Sequence, residues 1–97
     1  MLSSKQRAYL RSISNTIEPI IQIGKDGITD GTVSLVDEAL TARELVKIRV
    51  LKTVDDEPKD LAKVLLERLP GTELIHVLGR VILLFRPNDE KPKIILP

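Results

Sequence analysis

The sequence contains no cysteine and a single histidine, and these absences exclude several kinds of site. Disulfide bonds and thiolate metal sites are impossible without cysteine. His76 stands in an apolar segment with no second histidine to share a metal or a catalytic triad. The acidic run Asp55-Asp56-Glu57 lacks the glycine turn of a calcium loop and is better explained as a helix start. We therefore expect no metal and no cofactor, and the sequence gives no positive case for an enzyme.

Aromatic residues are almost absent, since Tyr9 and Phe85 are the only two. Sheet-based RNA-binding domains and single-strand binders stack bases on several aromatic side chains. If this protein binds RNA, it must rely mainly on the backbone and shape of the RNA. Affinity would then be dominated by phosphate contacts and would fall steeply with salt.

Long apolar runs are also missing, and the longest, Val81–Phe85, has the length of a strand. The first residues contain no apolar signal-peptide core. We expect no membrane partner and no small-molecule substrate. The lack of cysteine suits a reducing compartment, and we expect a cytoplasmic location.

Charges alternate in blocks along the chain although the net charge is only +1. Residues 45–52 carry three bases and no acid, whereas residues 53–60 carry four acids and one base. This pattern allows a basic face and an acidic back. A mixed solvated surface would give the same counts.

Hydrophobic periodicity and turn signals predict the order αβαβαββ. The predicted helices begin at Ser3 or Ser4 and reach about Thr16, run from about Asp30 to Ala42, and run from Pro58 to about Leu69; the predicted strands are Ile20–Ile23, Leu45–Leu51, Leu74–Leu78 and Val81–Arg86. The first strand is apolar enough to suit a buried inner strand, and the strand–helix–strand unit suits parallel pairing. Gly79-Arg80 fits a type II′ hairpin turn, while residues 93–96 fit an edge strand or an ordered tail. We predict one α/β domain over residues 1–97, of the two-layer α+β type, with a four-stranded mixed sheet.

Two glycines bracket a short loop, Gly24-Lys25-Asp26-Gly27, between the first strand and the second helix. A strand, a glycine loop and a helix N-terminus together present backbone N–H groups to an anion. The loop is neither a Walker A motif nor a dinucleotide-binding motif. Two interpretations remain: a G-x-x-G clamp on nucleic-acid phosphate, or a turn that needs a positive φ. A clamp would require Asp26 to turn away or to cap the following helix.

Four segments in order resemble the CRM domain (chloroplast RNA splicing and ribosome maturation) and its stand-alone bacterial, YhbY-like members. They are Lys5-Gln6-Arg7-Ala8-Tyr9-Leu10, Pro19-Ile20-Ile21-Gln22-Ile23-Gly24-Lys25-Asp26-Gly27-Ile28-Thr29, Glu44-Leu45-Val46-Lys47-Ile48 and Gly79-Arg80-Val81-Ile82-Leu83-Leu84-Phe85-Arg86-Pro87. The resemblance implies a fold similar to the C-terminal domain of the third bacterial translation initiation factor, with a KH-like G-x-x-G loop. It also implies RNA binding, on precursors of the large ribosomal subunit in the bacterial members.

The resemblance and the charge pattern together give a set of expected RNA contacts. The first-rank residues are Gly24, Lys25, Asp26, Gly27, Lys5, Arg7 and Arg11, and the second-rank residues are Lys47, Arg49 and Arg80. The chain departs from the family in having Phe85 where tyrosine is frequent, and Asp26 where an uncharged residue such as asparagine is frequent. Altering the charge of Lys25, or adding a Cβ at Gly24 and Gly27, should weaken RNA binding and leave the fold intact.

The function predicted from the sequence is that of a non-enzymatic protein that binds ribosomal RNA during large-subunit assembly. Two other classes stay open at this point. One is a protein-interaction module that uses an exposed sheet edge or the acidic surfaces. The other is a DNA-binding, chromatin-like protein on a related fold.

Overall fold

A computed structural model describes residues 2–97 and contains the predicted seven elements in the predicted order. The helices are α1 (Ser4–Ser14), α2 (Asp30–Arg43) and α3 (Pro58–Arg68); the strands are β1 (Ile21–Ile23), β2 (Leu45–Val50), β3 (Glu73–Leu78) and β4 (Val81–Phe85). Helix bounds follow local signals: Ser3 and Thr29 cap α1 and α2 through their side chains, and Pro58 opens α3. No helix within residues 2–97 is long and apolar enough to cross a membrane.

The four strands form one mixed sheet in the order β1-β2-β4-β3, which confirms the predicted fold class. β1 and β2 are parallel, as the strand–helix–strand unit predicts, and the other two pairs are antiparallel. Gly79 has a φ of 59° and Arg80 does not have a positive φ, so the hairpin turn agrees with type II′.

The prediction that the first strand lies inside the sheet is wrong, because β1 is an edge strand. Ile21 and Ile23 are buried, but Gln22 between them is exposed, and Ile20 before them is 44% exposed. Only one face of β1 is therefore covered. An alternation over three residues is too short for the sequence to separate a half-covered strand from a fully covered one.

Helices cover both faces of the sheet, which adds one layer to the two-layer arrangement expected from the sequence. On one face, α2 and α3 pack their buried leucine and valine side chains against Val46, Ile48 and Val50 of β2. On the other face, α1 places Leu10 against Leu45 and its neighbours in a second, smaller cluster. Because strand side chains alternate between faces, Lys47 and Arg49 point to the α1 side.

The C-terminal tail is ordered but does not form the strand that was one of its two predicted states. Ile94 and Leu96 pack against the cluster beneath α1, and the side chain of Gln6 donates a hydrogen bond to the carbonyl oxygen of Pro97 over 3.3 Å. The tail therefore completes the smaller core without joining the sheet.

Glu44 connects this tail to the rest of the fold. It follows α2 with a positive φ of 65° and is only 1% exposed. Its carboxylate accepts hydrogen bonds from the backbone N–H groups of Asn88, Lys93 and Ile94. Its own backbone continues the pairing, since its carbonyl oxygen accepts from Arg86 N–H at 2.9 Å. A buried carboxylate with three N–H donors is satisfied without a cationic partner.

We expect Glu44→Ala to lower the free energy of unfolding by about 2–4 kcal/mol, because three backbone donors lose their acceptor. Urea denaturation followed by circular dichroism measures the change. Glu18→Ala is the matched control, since Glu18 is exposed, and it should stay within about 0.5 kcal/mol of the original protein. Equal stability of the two variants would contradict the assigned role of Glu44.

Candidate nucleic-acid interface

The glycine loop is a tight turn with its two polar residues at the tip. Gly27 N–H donates to the carbonyl oxygen of Gly24 at 2.9 Å, which closes the turn, and Lys25 and Asp26 are both exposed. Gly27 has a φ of 69°, which favours glycine, whereas Gly24 does not have a positive φ. A Cβ on Gly24 would meet only Leu51 Cδ1, at 3.8 Å. The backbone conformation therefore explains why position 27 is a glycine, but it does not explain the glycine at position 24.

Asp26 does not cap the helix that follows the loop, which excludes one of its two expected roles. The N-cap of α2 is Thr29, whose hydroxyl oxygen accepts from Thr32 N–H at 3.2 Å. Asp30 in the first turn of α2 instead accepts a hydrogen bond from Arg68 at 2.8 Å. Asp26 stays at the exposed tip, and its turning away from a bound phosphate remains a prediction.

The loop lies beside the end of β2, which adds two basic residues near Lys25. Pairing of the parallel strands places Gln22 opposite Arg49 and continues to a bond from Leu51 N–H to the carbonyl oxygen of Ile23 at 3.0 Å. Lys25 and Lys52 therefore follow the carboxyl ends of two adjacent strands. Lys25, Arg49 and Lys52 are all exposed.

Lys52 was missed among the expected contacts, although it belongs to the basic block of residues 45–52. The sequence signal was present, but only the pairing of β1 with β2 shows that this lysine follows a strand adjacent to the one before the loop. Arg49, Lys52 and Arg80 together line an open cleft of about 390 Å³.

Arg80, a second-rank expected contact, already has protein partners for its guanidinium. It donates to the carbonyl oxygens of Val50 at 3.1 Å, Leu51 at 2.8 Å and Val54 at 3.1 Å. These bonds fix the segment that joins β2 to α3, so Arg80 shapes the cleft from within. Direct contact of Arg80 with RNA stays a prediction.

The two arginines of α1 that were expected to contact RNA, Arg7 and Arg11, lie in different surroundings. Arg7 donates to the carbonyl oxygens of Leu74 at 2.7 Å and Ile75 at 3.3 Å and so attaches α1 to β3. Arg11 is exposed and faces the sheet near its end of α1, where it lines a groove with Lys47. Lys5 is exposed in the first turn of the helix, at the opposite end from Arg11.

Lys47 belongs to the same groove but is partly held in place. Its Nζ donates to the carbonyl oxygen of Ile17 at 3.1 Å, after the end of α1. An ammonium group has three protons, so two remain for a ligand. Arg11, Lys47, Arg49, Lys52 and Lys25 define what we call the basic track, which leads from α1 across the sheet to the glycine loop.

Metal binding has no structural support in the part of the chain that the structure describes. No group of three histidine, aspartate or glutamate side chains there is placed to hold a metal ion. The basic track offers cations, and the exposed glycine loop beside it adds backbone groups; cations of this kind suit polyanionic ligands.

The sequence matches the CRS1/YhbY (CRM) domain over residues 2–86. The chain belongs to this family. It is 36% identical to the Bacillus subtilis "probable RNA-binding protein YqeI" over the full length of both chains. It is 31% identical to a Haemophilus influenzae RNA-binding protein, with 99% of this chain and 95% of the other covered.

A solved structure agrees with the CRM fold described above. The solution structure of the Staphylococcus aureus protein SAV1595, described as a candidate RNA-binding protein, is 42% identical and covers both chains completely, with a TM-score of 0.81. The relatives of this CRM domain are thus named for RNA binding, and the family resemblance inferred from four short segments is confirmed.

The two glycines of the CRM loop should respond differently to alanine. Gly27→Ala forces a Cβ into the left-handed region and should lower the free energy of unfolding by about 1–2 kcal/mol. Gly24→Ala meets no close atom and should change it by less than about 0.5 kcal/mol. Chemical denaturation of both variants measures the difference. Equal losses at the two positions would contradict the described turn, and Gly24 is the better position for testing RNA binding.

Proposed function

We propose that this protein is a non-enzymatic RNA-binding protein that contacts phosphates through the glycine loop and the basic track. The observation that supports this most directly is the shared location of Lys25, Lys52 and Arg49 at one end of the parallel strand pair. Phosphates along a strand of RNA are spaced so that successive cations on a surface can each contact one. The names of the relatives support RNA as the polyanion.

The charges of the basic track are available to a ligand. The two ion pairs found within residues 2–97 use Arg68 and Arg86, which bind acids of α2. The cations of the track take part in neither pair. The acidic run of residues 55–57 follows Lys52 and leads into α3, on the side of the sheet away from α1. It would repel phosphate and limit the track on that side.

Backbone N–H groups of the loop supply the second part of the proposed contact. The turn from Gly24 to Gly27 exposes its tip, and a glycine at position 24 lets another backbone approach closely. Lys25 adds a charge beside these groups and releases counterions from the RNA when it binds. We propose that the carboxylate of Asp26 faces away from the phosphate.

We further propose ribosomal RNA on precursors of the large subunit as the target, in the cytoplasm. Support for this part is the resemblance to the CRM family, which implies RNA binding on precursors of the large ribosomal subunit in its bacterial members. The small aromatic content fits a structured RNA that is recognised by shape more than by stacking on the sheet. Lys5, Arg7 and Arg80 are proposed as peripheral contacts, because α1 places Lys5 away from the loop and both arginines already bind backbone carbonyls.

Lys25→Gln should weaken binding of a ribosomal RNA fragment by roughly threefold at low salt and reduce the slope of log K against log salt by about 1. Fluorescence anisotropy over a salt series measures both values. Lys63→Gln is the matched control, because Lys63 is an exposed lysine on α3, which packs on the face of the sheet away from α1. Its slope should equal that of the original protein. Identical slopes for all three proteins would remove Lys25 from the interface.

The target class is tested by competition and by crosslinking. Labelled ribosomal RNA should be displaced by unlabelled ribosomal RNA at far lower concentration than by duplex DNA of the same length; the reverse order would favour a DNA-binding protein.

Crosslinking in cells, followed by sequencing of the bound RNA, should enrich large-subunit ribosomal RNA. Enrichment of other RNAs would retain RNA binding and overturn the ribosomal target, and co-purification of a protein after nuclease treatment, without RNA binding, would favour an interaction module.

A further inference from the structure

A groove between α1 and the sheet is not explained by contacts with the RNA backbone alone. It has a volume of about 370 Å³, near the lower end of the range for small-ligand pockets. It forms because α1 covers the sheet beside Leu45 and Phe85 and leaves the other half of that face open. The groove adjoins the basic track, since Arg11 and Lys47 line both.

The floor of the groove is apolar. Leu83 is buried at its base, Val81 is half-buried, and Leu78 is 69% exposed at its lip. Leu78 has the second-largest exposure among the large hydrophobic side chains found exposed within residues 2–97. An exposed leucine beside a pocket offers apolar contact area to a flat ligand.

The rim of the groove carries hydrogen-bond donors and no acid. Arg11 and Lys47 are cationic, and His76 stands exposed between the helix and the hairpin. No aspartate or glutamate lines the groove. A polyanionic chain can therefore pass along the rim without repulsion, while a flat group attached to it reaches the apolar floor.

The backbone irregularity of β3 places His76 in this position. The pairing of β3 with β4 matches Leu74 with Leu84 and then His76 with Leu83, so Ile75 is an extra residue in a bulge. Ile75 packs under α1, and His76 lies on the same face, opposite Leu83. Without the bulge, strand alternation would put these neighbours on opposite faces.

We propose that the groove binds one unpaired nucleobase of the RNA, with the imidazole of His76 stacked on the base and the apolar floor beneath it. Histidine and arginine side chains both stack on bases splayed out of single-stranded RNA. The phosphates on either side of that base would then meet Arg11 and Lys47. This inference rests on the proposed RNA-binding function and adds to it a contact that depends on bases.

The test compares two ligands of equal length and charge by fluorescence anisotropy: a single-stranded RNA oligonucleotide and an abasic phosphodiester. The original protein should prefer the RNA by on the order of fivefold or more, the range expected for one stacked base. His76→Ala should reduce this preference and leave affinity for the abasic ligand unchanged. Equal affinity of the original protein for the two ligands, or binding of the ribosomal RNA fragment but of neither ligand, would overturn the groove proposal. Failure to bind any of the three would instead refute the proposed function.

A matched pair of leucine variants separates the groove from the general surface. Leu78→Ser should reduce the preference for the base-containing ligand. Leu35→Ser makes the same change at a leucine that is 57% exposed on α2, on the other face of the sheet, and should leave the preference intact. Equal effects of the two variants would overturn the groove as the site.

A measurement on the unaltered protein decides the matter if a variant does not fold. A nucleoside monophosphate is titrated into the protein while NMR signals of the His76 ring and of the Leu78, Val81 and Leu83 methyl groups are recorded. These signals should shift together. Shifts confined to the glycine loop would show phosphate binding only, and shifts of the groove produced by an aliphatic peptide but by no nucleotide would indicate a protein partner instead.

Discussion

The buried carboxylate of Glu44 is the interaction on which the arrangement of the layers depends. Glu44 lies between the last residue of α2 and the first residue of β2, and its side chain accepts hydrogen bonds from three N–H groups of the segment after β4. One residue therefore joins elements from both faces of the sheet. A charged acceptor makes shorter and stronger hydrogen bonds than a neutral one. The tail that it holds completes the core under α1, and α1 in turn forms one wall of the groove. The candidate interface therefore depends on a residue that does not contact it.

Basic residues in this chain divide into two groups that the sequence cannot separate. Arg7 and Arg80 use their guanidinium groups on backbone carbonyls at two irregular places, the bulge of β3 and the segment after β2. Lys25, Arg49 and Lys52 are exposed. Arginine suits the first task because its planar donors reach several carbonyl oxygens at once. Basic residues thus both hold the fold together and form the proposed ligand contacts. Mutation of Arg7 or Arg80 would change the fold locally as well as the charge of the surface.

Local signals in the sequence predicted most of the fold, and long-range arrangement accounts for what it missed. Caps, proline and the hairpin glycine act within a few residues, so Ser3, Thr29, Pro58 and Gly79 place the element ends well. The edge position of β1 and the layer formed by α1 depend on which strands pair, and no short pattern encodes that pairing. The sequence does not separate the two predicted states of the tail for the same reason, since the residue that accepts its N–H groups, Glu44, lies more than forty residues earlier.

In the candidate site too, local features could be predicted from the sequence and long-range ones could not. The glycine loop was recognisable because its residues are contiguous, whereas the role of Lys52 depends on the pairing of β1 with β2. His76 stands in an apolar segment of the sequence, and only the structure shows that it is exposed. Nothing in the order of residues 73–78 showed that the strand contains an extra residue, because a bulge preserves the apolar character of its neighbours.

The bulge at Ile75 also reverses the alternation of side chains between the two faces of the sheet along β3. Before the bulge, the odd-numbered side chains lie on the α1 face of the sheet. After it, the even-numbered side chains lie on that face. One extra residue thus lets a single strand pack Ile75 under α1 in its first half and present His76 and Leu78 to the groove in its second half. If the strand were straightened with Ile75 kept in regular pairing, Val77 would take the place of His76 and Leu78 on the open face.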